Sequence, residues 1–215
     1  MFGFQEELPI AEWRNWQKFT DLLAAQAPFR EPGASQGYHA LTFGWLVGEV
    51  IRRIDGRSVG TYFSEEIAKP LGIDFKIGVD ESDLSRCADT LMLDNKSTLA
   101  VLKLISYIPD ILLSRSLRGV KGAVNSGDYS VAFAARGLDG GDEINSAEWR
   151  LAEVPAANGH GTAASLAKLY GVMANGGERD NFRLLTPTTI EQISSVHSKG
   201  PDTVLFGLPY HFGLG

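Results

Sequence analysis

Residues 31–73 read EPGASQGYHALTFGWLVGEVIRRIDGRSVGTYFSEEIAKPLGI, and their pattern organises the rest of the chain. Phe43, Leu46, Val47, Val50, Ile51 and Ile54 recur at the spacing of one helix face, and Asp55-Gly56 supplies a stop signal. That face is expected to be buried, with Glu49, Arg52 and Arg53 as one wet edge. Ahead of the helix, Pro32 and Gly33 mark a change of direction. Behind it, Val59, Tyr62, Phe63 and Ile67 predict a shorter helix ended by Pro70.

Outward from this stretch, IAEWRNWQKFTDLLAA over residues 10–25 places Trp16, Phe19, Leu22 and Leu23 on one helical face, closed by Pro28. IDFKIGV, 73–79, alternates Ile73, Phe75, Ile77 and Val79 with polar or small residues, the pattern of a half-buried strand. TLAVLKLISYI, 98–108, reads as a buried helix ended by Pro109, and GLDGGDEINSAEW, 137–149, as loop. In EVPAANGHGTAASLAKLYGVMANGG, 153–177, Thr162 is an N-cap candidate. Leu166, Leu169, Tyr170 and Met173 share one face of the helix that follows, and Asn175-Gly176-Gly177 is its exit. Thr186-Pro187 puts a cap and an N1 proline before Ile190, Ile193 and Val196. Helices dominate, strands are few, and the chain reads as a single domain over 1–215 with a variable, insertion-like segment at 82–141.

Composition removes several function classes. Of 215 residues, 44% are hydrophobic and 21% charged, which excludes a disordered chain. Twenty basic against 26 acidic residues give a net charge of −6, so no nucleic-acid partner is expected. No apolar run approaches the roughly 18 residues of a bilayer span. Cys87 is the single cysteine, which excludes a disulfide framework. The start, MFGFQEELPI, has acids where a signal peptide is basic. These features together predict a cytoplasmic location.

Two serine motifs invite a nucleophile reading. Gly33-Ala34-Ser35-Gln36-Gly37 matches G-x-S-x-G, but an elbow needs a buried strand before the serine, and PFREP cannot form one. Ser165-Leu166-Ala167-Lys168 matches S-x-x-K, in which lysine lies one helical turn beyond the serine and takes its proton. Ser and Lys at that spacing are also ordinary solvated residues beside an apolar face. His39, His160, His197 and His211 form no zinc-binding spacing, so no metal is expected. His160, between Gly159 and Gly161 ahead of a helix, either faces a cleft or hydrogen-bonds its own turn. Phosphate-cradling glycine loops are absent, and no cofactor is expected.

Taken in order, Pro32-Gly33, Tyr38, Gly48, Gly56 and Pro70-Leu71-Gly72 resemble the serine hydrolases of the class C β-lactamase and esterase superfamily. AANGHGTAASLAKLYGVMANGG, 156–177, resembles that family's small-residue loop and cleft-side helix. LLTPTTIEQI, 184–193, leading to FGLPYHFGLG, 206–215, resembles its next helix and strand. The resemblance covers about residues 29–80 and 155–215.

It implies an α+β fold of the β-lactamase/penicillin-binding-protein (transpeptidase-like) type, here mostly its helical middle portion with few strands. It also implies hydrolysis of a small-molecule ester or amide through an acyl-serine. Tyr38 matches the family's proton-transfer tyrosine, and His160 with Gly161 are the substrate-binding candidates. A phenol acts as base only beside a cation that lowers its pKa. Tyr38-His39-Ala40 replaces the usual Tyr-x-Asn, which leans toward an esterase. The family's S-x-x-K lies upstream of the Pro-Gly loop, where this chain has none. The resemblance therefore implies a domain incomplete at both ends, catalytically incomplete alone, and prone to self-association through exposed apolar surface. The competing reading is a non-catalytic binding or structural protein on the same scaffold.

Overall fold

The four tryptophans decide where the core lies. Trp13, Trp45 and Trp149 are buried together with Phe4, Phe19, Leu8 and Leu23, and Trp16 packs on their edge. Trp45 is sandwiched: Phe19 stacks on it at 4.7 Å, and Phe4 and Trp13 meet it edge-on at 5.6 and 5.7 Å. Such pairs add about 0.5–1.5 kcal/mol each beyond the area they bury, so this cluster fixes the docking of everything around it. The computed structural model describes residues 3–91, 101, 103–133 and 142–214.

Helix α1 (Trp16–Ala25) opens where the Asn15 side chain accepts the Lys18 N–H. The single helix expected over 10–25 is therefore two pieces, a 3-10 turn at Ile10–Glu12 and then α1. The cause is Asn15, whose side chain competes with the helix and resets its start.

Helix α2 (Thr42–Asp55) ends at Gly56 in the left-handed region. Its orientation reverses the expectation. Trp45, Gly48 and Glu49 face inward, while Phe43, Leu46, Val47, Val50 and Ile54 are exposed, Ile54 by 82%. The reason is closeness of approach. A Cβ on Gly48 would sit 2.6 Å from Trp16, and one on Gly44 would sit 2.7 Å from the Ala156 backbone nitrogen. Two glycines let α2 dock tightly on that side, and apolar periodicity cannot register a residue without a side chain.

Beyond Ser58, whose hydroxyl caps the next helix, α3 (Val59–Phe63) widens into a π-turn at Ser64–Ala68 and closes with α4 (Lys69–Leu71). Pro70 lies inside α4 rather than ending it, and left-handed Gly72 makes the stop. The Lys69 N–H reaches back to the Ser64 carbonyl, a wide bond that relieves the helix just ahead of the N–H that Pro70 lacks. The strand expected over 73–79 is the shorter β1 (Phe75–Ile77), antiparallel to β2 (Gly159–Gly161).

Parts of the 82–141 segment and of the expected helix at 98–108 lie outside the described residues, as do residues 137–141 of the expected loop. The described portion of 98–108 is helical at 101 and 103–106, but Val101, Leu104 and Tyr107 are exposed rather than buried. Helices α5 (Arg115–Ser126) and α6 (Asp128–Phe133) follow. Ala132 enters the tryptophan core, and buried Asp128 pairs with Arg30, tying α6 to the loop before α2. The expected loop at 137–149 contains the start of α7 (Ala147–Leu151), because the Ser146 hydroxyl caps it and Trp149 anchors it.

Thr162 caps α8 (Ala163–Ala174) as expected, accepting the Ser165 N–H. Again the inward face differs: Ser165 and Val172 are buried, and Leu166 and Tyr170 are exposed. The Asp180-Asn181 turn, both residues at positive φ, joins β3 (Glu178–Arg179) to β4 (Phe182–Arg183) in the mirror-image turn that suits a two-residue hairpin. Thr186 and Pro187 open α9 (Pro187–Ser194) as expected. The chain closes with β5 (Ser198–Pro201) against β6 (Pro209–Phe212). Among the described residues, strands form three separate two-stranded ladders and no larger sheet. None of the described helices is long and apolar enough to cross a membrane.

Candidate active site

Tyr38 stands at the entrance to α2, and a residue far along the chain holds it there. Its backbone N–H donates to Asp202 Oδ1 at 3.2 Å. The same oxygen accepts the N–H groups of Val204 and Leu205, each at 2.9 Å. Asp202 is fully buried, and its second oxygen, Oδ2, has no partner among the described residues. Thr203 N–H donates to the Gln36 carbonyl, and Gln36 bridges to Asp202, so 202–205 clamps the loop 36–38. A charged acceptor taking three N–H bonds is worth far more than an exposed one, because here each donor would otherwise be stranded.

The Tyr38 ring stacks between Phe133 (5.9 Å) and Phe212 (6.0 Å). Its hydroxyl makes no hydrogen bond to a described residue, and the residue is 39% exposed. Next to it, His39 Nδ1 lies 3.2 Å from the Thr42 hydroxyl. Burial pushes the His39 imidazole below its ordinary 6.5, against the raising pull of the Asp202 carboxylate. Ala40, where the family pattern places asparagine, is buried in the core cluster.

His160 and Gly161 lie elsewhere. They line a cavity of about 280 Å³ of mixed character with Asp74, Lys76, Val79, Asp83, Arg86 and Cys87, and Tyr38 is not among its walls. The charges there are already matched: Lys76 Nζ contacts Asp80 at 2.7 Å and Asp83 at 2.5 Å, and Arg86 contacts Asp83 at 2.7 Å and also Asp74. Hydrogen bonds from Lys76 and then Arg86 hold the Asp83 carboxyl below its ordinary range. His160 both lines the cavity and bonds its turn, through Nδ1 to the Asn158 carbonyl at 2.7 Å. Asn158, buried, fixes that turn by accepting from Val154 N–H and donating to the Trp149 and Ala152 carbonyls. The loop preceding it abuts the first turn of α2 at Gly44 and Ala156, which links the two regions.

Neither motif serine is hydrogen-bonded to a lysine or histidine among the described residues. Ser165 is buried, and its Oγ accepts from Asp74 N–H and the Thr162 hydroxyl, both at 2.9 Å. Both lone pairs of that oxygen are thus engaged. No hydrogen bond joins it to Lys168. Ser35 is exposed in a loop, contacted by Arg30 at 3.4 Å, with no strand ahead of it among the described residues. Among the described residues no cluster could hold a metal ion.

Asp202 and Asn158, which hold the loops carrying Tyr38 and His160, were missed by sequence reasoning. Asp202-Thr203-Val204-Leu205 carries a legible local signal, an Asp bonding the N–H groups two and three residues ahead. Its partner Tyr38, 164 positions away, has no local signature.

The chain as a whole is similar to known proteins. Against the esterase/beta-lactamase LipL of Mycobacterium tuberculosis (strain ATCC 25618 / H37Rv) the chain is 35% identical over 196 residues, 90% of this chain and 42% of that protein. It superposes on a family VIII carboxylesterase with a TM-score of 0.77 and 32% identity, covering 99% of this chain and 50% of that one. A penicillin-binding protein homolog from Caulobacter crescentus gives 0.72 and 34%, with 99% and 50% covered. EstA from Arthrobacter nitroguajacolicus Rue61a gives 0.75 and 28%, with 99% and 52% covered. The chain spans about half the length of these relatives, and its helix-rich architecture with few strands is part of the β-lactamase/penicillin-binding-protein fold. A beta-lactamase family model matches residues 2–215, and the chain belongs to the beta-lactamase family.

Proposed function

We propose that this chain is the Tyr38-bearing part of a serine hydrolase that cleaves small-molecule esters or amides through an acyl-serine. Tyr38 is the proton-transfer partner, and the attacking serine and its lysine come from an S-x-x-K segment other than Ser165–Lys168. The observation that carries this reading is the fixed Tyr38: its backbone is clamped by buried Asp202 while its phenol makes no hydrogen bond to a described residue. A phenol works as a base near neutral pH only beside a cation, and no described cation hydrogen-bonds it. The lysine of the S-x-x-K segment would supply that charge. Buried Ala40 in place of the family asparagine removes an amide that would contact a lactam substrate, which favours esters. His160 and Gly161 are assigned to the wall of the 280 Å³ cavity rather than to the reacting atoms.

The test is a full-length hybrid in which this chain replaces the matching 196-residue stretch of the M. tuberculosis relative. It should hydrolyse para-nitrophenyl butyrate, and Tyr38→Phe should lower kcat about a hundredfold or more, the range of a lost proton-transfer group. An intact mass shift on Ser165 or Ser35 after fluorophosphonate treatment of the chain alone would overturn the assignment of the nucleophile.

A further inference from the structure

Tyr38 is one member of a longer column of rings. Tyr210 stacks on Phe212 at 5.7 Å and 10°, Phe212 on Tyr38 at 6.0 Å and 21°, and Tyr38 on Phe133 at 5.9 Å and 28°. Phe133 continues onto Tyr129 at 4.7 Å, and Tyr129 onto Phe206 at 5.1 Å, both at 29°. Three distant segments contribute: the loop before α2, helix α6, and the stretch 206–212. We propose that this column is the binding surface for an aryl group of the substrate, seating it beside the Tyr38 phenol. The inference rests on the reading of Tyr38 given above and extends it to a substrate class, neutral aryl-bearing esters.

The geometry selects that class. Successive rings in the column lie offset and near parallel, 4.7–6.0 Å between centroids, which leaves part of each ring open to a further aromatic contact. Tyr38, Tyr129, Phe133 and Tyr210 are exposed by 39, 39, 38 and 37%. Ring edges carry the positive end of the aromatic quadrupole and attract the electron-rich face of another ring. A saturated ring of the same size offers no such face and gains only apolar burial. The column contains no ionised side chain, and the buried Asp202 carboxylate under the Tyr38 backbone opposes an anionic ligand. The hydroxyls of Tyr38, Tyr129 and Tyr210 make no hydrogen bond to described residues, which leaves donors for an ester oxygen.

The experiment compares methyl phenylacetate with methyl cyclohexylacetate, mapped onto the isolated chain through its aromatic ring resonances. Methyl phenylacetate should shift Tyr38, Phe133 and Tyr210 saturably and bind at least threefold more tightly than the cyclohexyl ester. Phe133→Leu and Tyr210→Leu, from two different segments and each keeping apolar bulk, should weaken aryl binding at least threefold. Val50→Ser, on the exposed stripe of α2, should leave it unchanged. Equal affinity for the two esters, shifts centred on α2, or no saturation would overturn the proposal. Binding requires no nucleophile, so the two readings fail separately. A hybrid that keeps activity after Tyr38→Phe removes the catalytic role but not the aryl site. An active hybrid whose aryl and cyclohexyl esters are equivalent does the reverse.

Discussion

Asp202 Oδ1 accepts the backbone N–H of Tyr38 at 3.2 Å, a bond that spans 164 positions of chain and sets where the candidate catalytic ring sits. Asp202→Ala leaves that N–H and the N–H groups of Val204 and Leu205 without this acceptor, the Val204 one fully buried and the other two partly so. Leaving these donors unpaired should cost about 2–3 kcal/mol, read as a lower urea midpoint. Asp202→Asn keeps an acceptor and should lose less. Equal, negligible losses for both would show that the clamp does not hold the loop.

Glu49 gives the fold a pH dependence. Its buried carboxylate accepts from Arg52, Arg53 and Trp16. Those bonds, chiefly from Arg52, hold its pKa near about 2 rather than the ordinary 4.5, against the opposing effect of burial. A carboxyl depressed in the folded state contributes stability that is present above pH 4.5 and lost as pH falls from 4.5 toward 2. Unfolding free energy should decline across that window, and Glu49→Gln should flatten the slope. An unchanged slope in the variant would assign the acid sensitivity to other groups.

Ser165 and Lys168 separate structure from chemistry. Ser165→Ala removes an acceptor for Asp74 N–H and should cost about 1 kcal/mol. Lys168→Ala, half-buried with no hydrogen bond to a described residue, should change stability by less than about 0.5 kcal/mol. In the full-length hybrid both variants should retain ester hydrolysis. Matched losses of activity would restore the pair as a catalytic unit.

Gly48→Ala tests the close approach of α1 and α2. Alanine should improve helix propensity by up to about 1 kcal/mol. The new Cβ, however, would lie 2.6 Å from Trp16 and 2.8 Å from Val59, and overpacking of this kind costs about 1–3 kcal/mol. The clash outweighs the propensity, so the melting temperature should fall. A rise would mean that Trp16 swings aside freely.

Exposed Val50 and Ile54 leave α2 with an uncovered apolar stripe. The isolated chain should self-associate in sedimentation velocity. Val50→Glu with Ile54→Glu should reduce that association while changing stability by less than about 0.5 kcal/mol per site. Persistence of the association would place the contact elsewhere.

What the sequence by itself determined is local. Thr162 and Thr186 cap their helices, Gly56 and the Asn175-Gly176-Gly177 exit end theirs, and Pro187 opens α9, because each of these signals acts within a few residues. The ordered motifs from Pro32-Gly33 to Pro70-Leu71-Gly72 also sufficed to place the chain in its family. What only the tertiary structure decided is which side of each helix faces in and what Tyr38 touches. The α2 stripe of Phe43, Leu46, Val47 and Val50 lost the core to Trp45, Gly44 and Gly48, because docking distance depends on the smallest residues, which a count of apolar side chains overlooks. The Asp202 clamp and the ring column join segments far apart in the chain. Such contacts leave no local period to read, since closing a long loop depends on the whole set of contacts formed with it.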